Sequence, residues 1–189
     1  DEETGEAVVE LILDKAGQKG TGRWTVMNAA DNTVVISTIN AAVEARVLSS
    51  MKASRVAASE VLRGPAKALR VDRSELEARV RDALYASKIV SYAQGFDLMR
   101  TMGEKKHWSL DLGGIASIWR GGCIIRARFL NRITEAYRAE PGLPNLMLAP
   151  FFRDVLERGQ PAWRRIVSKA VMHGLPVPAM SASLAYYDS

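Results

Sequence analysis

The stretch Gln18-Lys19-Gly20-Thr21-Gly22 concentrates the chemistry of this chain. Glycines let backbone N–H groups approach an anion, and the apolar pattern resuming at Trp24, Val26 and Met27 marks a helix whose N-terminal end is electropositive. Lys19 and Thr21 add a cation and a hydroxyl donor. Such a loop can hold a phosphate, or it can be a plain turn leading into a helix. It matches neither the P-loop spacing Gly-x-x-x-x-Gly-Lys-Ser/Thr nor the strand-linked Gly-x-Gly-x-x-Gly of dinucleotide folds, so no nucleotide reading is licensed. Arg46 lies one short helix further on, after the apolar Ile39, Ala42 and Val43. It can point back toward the loop or snorkel to the surface.

Other chemistries are hard to assemble. The two histidines, His107 and His173, are far apart in sequence, and no Cys-x-x-Cys or His-x-x-x-His spacing exists, so no metal site is expected. Cys123 follows Gly122 and precedes Ile124 and Ile125, a setting that predicts a small buried hydrophobe and not a nucleophile. One cysteine permits no intrachain disulfide, which points to a reducing, cytoplasmic compartment. The 26 Lys+Arg against 21 Asp+Glu leave a mild excess. Basic residues such as Arg70, Arg73, Arg79 and Arg81 are interleaved with Asp72, Glu75, Glu77 and Asp82, so no continuous stripe offers itself to nucleic acid. No apolar run approaches the roughly 18 to 20 residues of a membrane span. With 48% hydrophobic and 25% charged residues over 189 positions, the chain can bury a real core and is not disordered. It opens at Asp1 without an initiator methionine or a signal-peptide pattern, which suggests a piece excised from a longer protein.

The elements that must position these residues read as almost wholly helical. The apolar run Val8 to Leu13 is too short to assign as helix or strand. A helix follows the glycine loop, Asp31-Asn32-Thr33 breaks it, and a second begins near Ser37. Gly64-Pro65 ends the next segment. Asp72 or Ser74 then caps a long helix to about Met102. One stripe of that helix holds Leu76, Val80, Ala83, Leu84, Ser87, Ser91 and Gly95, and another holds Tyr85, Ile89, Tyr92, Phe96 and Met99. Apolar on two sides, it belongs in the middle of a bundle, and its small residues admit a close neighbour. His107 to Trp119 and Cys123 to Tyr137 predict two more helices around Gly121-Gly122. Six of the seven prolines lie beyond residue 140 and predict short helices there, with a last apolar helical segment at Leu184 to Tyr187. Strand-like alternation is confined to Thr33 to Ser37. The expected class is all-α, in one body with a long buried central helix.

Several stretches, taken together, carry a family resemblance. Asp14-Lys15-Ala16-Gly17-Gln18-Lys19-Gly20-Thr21-Gly22-Arg23-Trp24-Thr25 resembles the signature of 6-phosphogluconate dehydrogenase, the decarboxylating enzyme of the pentose phosphate pathway. Ala42-Val43-Glu44-Ala45-Arg46, Ser49-Ser50-Met51-Lys52, Arg55-Val56-Ala57-Ala58-Ser59, Ser91-Tyr92-Ala93-Gln94-Gly95-Phe96 and Trp119-Arg120-Gly121-Gly122-Cys123-Ile124-Ile125-Arg126 resemble it in order. The resemblance implies NADP-linked oxidation of 6-phosphogluconate, loss of carbon dioxide and formation of ribulose 5-phosphate. It assigns residues 1–189 to the helical substrate-binding and dimerisation domain of a homodimer. The coenzyme is then held mainly by an N-terminal Rossmann domain, and the lysine base and glutamate acid lie just upstream of this sequence. A C-terminal tail that reaches the neighbouring subunit is also implied to lie outside it. No catalytic residue is therefore expected here, and the piece alone should be inactive. What carries over is a substrate-phosphate clamp of Lys19, Thr21 and Arg46, with no metal, nucleic acid or membrane as partner. Three stretches depart from the family's usual pattern: Arg23 replaces a lysine, Asp31-Asn32-Thr33 a different turn, and Glu44 an aromatic residue. Glu44, two residues before Arg46 on a helix, should face another way.

Overall fold

A helix of 34 residues, α5 (Arg73–Lys106), is the element on which the others rest. The structure is a computed structural model that describes residues 2–66 and 71–189; the expectations attached to Asp1 and Arg70 lie outside the described residues. Asp72 starts α5 as its N-cap, its carboxylate accepting from the Glu75 N–H at 2.8 Å. The helix runs past Met102 and stops where His107 turns into the left-handed region at φ 54°, with Lys105 and Lys106 set against the negative end of the dipole.

Before it come α1 (Val8–Leu11), α2 (Thr21–Asp31), α3 (Ser37–Ser50) and α4 (Lys52–Val61); after it α6 (Leu112–Ile118), α7 (Leu130–Ala139), a 3₁₀ turn at Leu146–Leu148, α8 (Pro150–Met172) and α9 (Pro178–Asp188). Among the described residues there is no strand, so the all-α expectation holds, and Thr33 to Ser37 is a corner between two helices. The ambiguous run at Val8 to Leu13 contributes a single helical turn that buries nothing.

Helix α5 packs along α8, α3 along α9, and α6 along α7. Ile89, Ala93 and Phe96 of α5, Phe152, Leu156 and Trp163 of α8, and Leu130 and Ile133 of α7 are all essentially solvent-free in one core. Where α5 and α8 pack, Gly159 lies beside Ala86, and an added Cβ would sit 3.7 Å from the alanine methyl, an ordinary contact. The two stripes of α5 meet different fates. Ile89, Tyr92 and Phe96 are buried, as are Ala83 and Ser87, but Leu84 is 57% exposed and Val80 is exposed as well. Together with Leu76, Tyr85 and Lys88 they line an apolar groove of about 700 Å³.

Helix α3 borrows its cap. Ile36 precedes it and has no side chain to offer, so the buried carboxamide of Gln94 on α5 accepts from the Thr38 N–H at 3.0 Å and donates to Ser37 Oγ at 3.1 Å. This polar tie fixes the start of the helix that carries Arg46.

Three sequence expectations fail for physical reasons. No helix begins at His107 or Cys123: Asp111 caps α6 by accepting from the Gly114 N–H at 2.8 Å, and residues 119–129 turn without a helix before α7 starts at Leu130. In that turn the Tyr92 hydroxyl donates to the Ile125 carbonyl, and Cys123 is half-buried instead of buried. The proline-rich end does not shorten every helix, because α8 extends for 23 residues straight through Pro161. Phe152 and Leu156 before it and Trp163 and Ile166 after it are all in the core, and that burial outweighs the roughly 3 kcal/mol a helix-interior proline costs.

Candidate functional site

Two glycines explain how the loop meets its neighbour. Gly20 takes a left-handed conformation at φ 96° immediately before α2, and it has no side chain to cap the helix. The Thr21, Gly22 and Arg23 N–H groups of the first turn therefore lack intrahelical acceptors, which leaves an electropositive end open. Gly22 lets that turn press against α3: a Cβ there would come within 2.8 Å of Val43 Cγ2. Since Arg46 is three residues beyond Val43, this contact sets the loop and the arginine on adjoining elements.

The Arg46 guanidinium donates to the Gly17 carbonyl. Of the two directions open to it from sequence, the structure turns it onto the loop, two residues before Lys19 and four before Thr21. All three side chains are exposed, as a binding surface for a soluble anion must be. Lys19 makes no ion pair among the described residues. Thr21 uses its carbonyl to accept from Thr25 Oγ1 at 2.9 Å. Glu44 is engaged one turn back on its own helix, accepting from Asn40 Nδ2 at 2.9 Å.

The run ahead of the loop is tied to the far end of α3 and the start of α4. Asp14 pairs with Lys52, and with Arg55 at 3.0 Å. Hydrogen bonds first from Lys52 and then from Arg55 hold its carboxyl down at about 2, against an ordinary 3.8. The Ala16 N–H donates to Ser49 Oγ at 3.1 Å. Sequence reasoning gives none of these residues a role: Ser49 sits on α3, Lys52 and Arg55 on α4, and Asp14, the partner of these last two, lies some forty positions away.

The remaining chemical candidates stay apart from this cluster. His107 ends α5, and His173 follows the last residue of α8, its Nδ1 2.8 Å from the Lys169 carbonyl. No group of three or more His, Cys, Asp or Glu side chains converges among the described residues. No helix among them is long and apolar enough to cross a membrane.

An all-α body on one long helix, with an arginine of one helix hydrogen-bonded to the glycine loop that opens another, defines a helical domain. The chain belongs to the family described as 6-phosphogluconate dehydrogenase, C-terminal domain, whose model matches residues 1–189. It is 57% identical over 187 residues to the decarboxylating 6-phosphogluconate dehydrogenase of Synechococcus elongatus, a match covering 98% of this chain and 40% of that protein. Over 190 residues it is 52% identical to the NADP(+)-dependent, decarboxylating enzyme of Bacillus subtilis, covering all of this chain and 40% of that one. Its fold is similar to that of Plasmodium falciparum 6-phosphogluconate dehydrogenase, solved in apo form and in complexes with NADP+ and with 6-phosphogluconate. There the TM-score is 0.87 at 41% identity, over all of this chain and 41% of that chain. The chain thus spans about 40% of the length of the relatives it matches.

Proposed function

We propose that this chain is the substrate-phosphate-binding and subunit-pairing part of a cytoplasmic, NADP-dependent dehydrogenase of the pentose phosphate pathway. The enzyme oxidatively decarboxylates 6-phosphogluconate to ribulose 5-phosphate and carbon dioxide. The observation that supports the reading is the hydrogen bond from the Arg46 guanidinium to the Gly17 carbonyl, which turns the arginine onto the loop whose sequence also carries Lys19 and Thr21. A phosphate dianion suits that set: Arg46 offers a planar fork, Lys19 a point charge, and Thr21 a hydroxyl at an electropositive helix end. The phosphate is remote from the reacting carbons, so gripping it holds the sugar in place while chemistry proceeds at the other end.

NADP supplies the hydride acceptor. It is held by a coenzyme domain of the longer protein, since the described residues contain no strand to build a dinucleotide fold. The base and acid come from that longer protein as well. The exposed Val80 and Leu84 face of α5, with a second apolar groove of about 810 Å³ bordered by Ala42, Ala45 and Met180, gives a second copy an apolar surface to cover. In the full-length enzyme, Arg46→Ala raises the Michaelis constant for the phosphosugar roughly 10- to 100-fold, the cost of losing charge-assisted hydrogen bonds. An unchanged Michaelis constant in steady-state kinetics removes Arg46 from the site and the clamp with it.

A further inference from the structure

We infer that Arg55 is a positioning residue for the phosphate clamp, fastening the stretch ahead of the glycine loop onto the C-terminal end of the Arg46 helix. The inference rests on the clamp reading above. Arg55 Nη1 donates to Asp14 Oδ2 at 3.0 Å, while its Nη2 donates to the Asp14 carbonyl at 2.7 Å and to the Ser49 carbonyl at 3.1 Å. One guanidinium therefore spans the last turn of α3 and the chain three residues ahead of Gly17. The Ser49 carbonyl is among the last four of α3, which have no intrahelical donor, so the same cation also stabilises the end of the helix that bears Arg46.

The neighbouring contacts run in the same direction. Lys52 pairs with the second oxygen of Asp14. The Ala16 N–H donates to Ser49 Oγ, and Ser49 Oγ in turn donates to the Arg46 carbonyl at 2.8 Å. Arg46 itself takes the Gly17 carbonyl. Residues 14, 16 and 17 are thus each tied by polar groups to the segment 46–55. Packing offers no substitute: Val8, Val9, Ile12 and Leu13 are exposed, and α1 buries no residue. The near side of the loop is held by these ties, and the far side by the contact of Gly22 with Val43. Arginine is suited to the task because a rigid planar fork reaches three acceptors at fixed angles, which a lysine ammonium, a compact charge with freely rotating donors, does not reproduce.

The test uses the full-length enzyme with Arg55→Ala, Arg55→Lys, Asp14→Asn and Arg46→Ala, each assayed for kcat and for the Michaelis constants of the phosphosugar and of NADP+. Arg55→Ala is expected to raise the phosphosugar KM roughly 10- to 100-fold, the scale of an ångström-size misplacement, while leaving the NADP+ KM in place. Arg55→Lys recovers part of the loss. In the Arg46→Ala background, Arg55→Ala adds much less than it does alone, because both act on one clamp. Equal rises in both KM values, or full multiplicative loss in the double variant, overturn the inference. If Arg55→Ala does not fold, Asp14→Asn decides, since it weakens the same tie from the other side and must move the phosphosugar KM alone. A phosphosugar KM that moves in Arg46→Ala but in neither Arg55→Ala nor Asp14→Asn leaves the clamp standing and removes Arg55 from it. One that does not move in Arg46→Ala removes the clamp and this inference together.

Discussion

Replacing Gln94 by leucine tests how one helix is held by another. The carboxamide is completely buried, and its Oε1 is the acceptor for the Thr38 N–H, which is itself out of solvent. Leucine nearly matches glutamine in volume, so the substitution leaves little cavity and isolates the polar loss. An N–H stranded in the interior costs about 1–3 kcal/mol, and the Ser37 hydroxyl loses its donor as well. A loss of about 2 kcal/mol lowers Tm by roughly 4–8 °C in a chain of this size. Urea unfolding followed by far-UV circular dichroism measures it, with the midpoint shifting and the slope unchanged. Ser37→Ala, which strands the buried Gln94 Nε2 but leaves Thr38 paired, is expected to lower the midpoint as well. A Gln94→Leu midpoint identical to that of the parent would refute the account of a borrowed cap.

Two further outcomes follow from local geometry. Thr33 occupies the left-handed region at φ 58°, ending α2 with the Val34 N–H bonded back to the Ala29 carbonyl at 2.9 Å. A β-branched residue is strained there, so Thr33→Gly gains about 0.5–1 kcal/mol after glycine's entropy is set against it, and a melting curve shifted downward contradicts this. Asp14 titrates in the folded chain at about 2, below its ordinary 3.8. A depressed carboxyl contributes stability that is complete above the unfolded value and disappears as pH falls through the folded one. The acid limb between pH 4 and 2 is therefore shallower in Asp14→Asn, and a carboxyl NMR titration with its midpoint at 3.8 would show the ion pairs to be absent.

Local punctuation is easy to read in this chain and tertiary compensation is not. The glycine loop leading into α2, the break at Asp31-Asn32-Thr33 and the Asp72 cap are decided by the residues on either side, and each falls where the sequence places it. Pro161 is different, because the burial that keeps α8 whole comes from side chains many turns away along the chain. The turn at 119–129 defeats a reading by pattern because apolar Ile124 and Ile125 resemble a helix stripe, although both are exposed. At the candidate site the glycine loop and Arg46 are visible as residue types, while the direction of the guanidinium is not. The anchors Asp14 and Arg55 carry no local signal, since their meaning lies in a pairing across 41 positions. Gln94 is hidden for the same reason.

The length of α5 has a consequence for how this domain can vary. At 34 residues it is a rod of about 50 Å, touching α3, α6, α8, α9 and the 3₁₀ turn with different sides at different heights. One residue inserted near its midpoint would swing everything beyond by about 100°, putting Phe96 out of phase with Trp119 and Tyr137 while Ile89 stayed home. An insertion is tolerated more readily in a turn that carries no site residue than inside this rod, whose phase every packed neighbour reads.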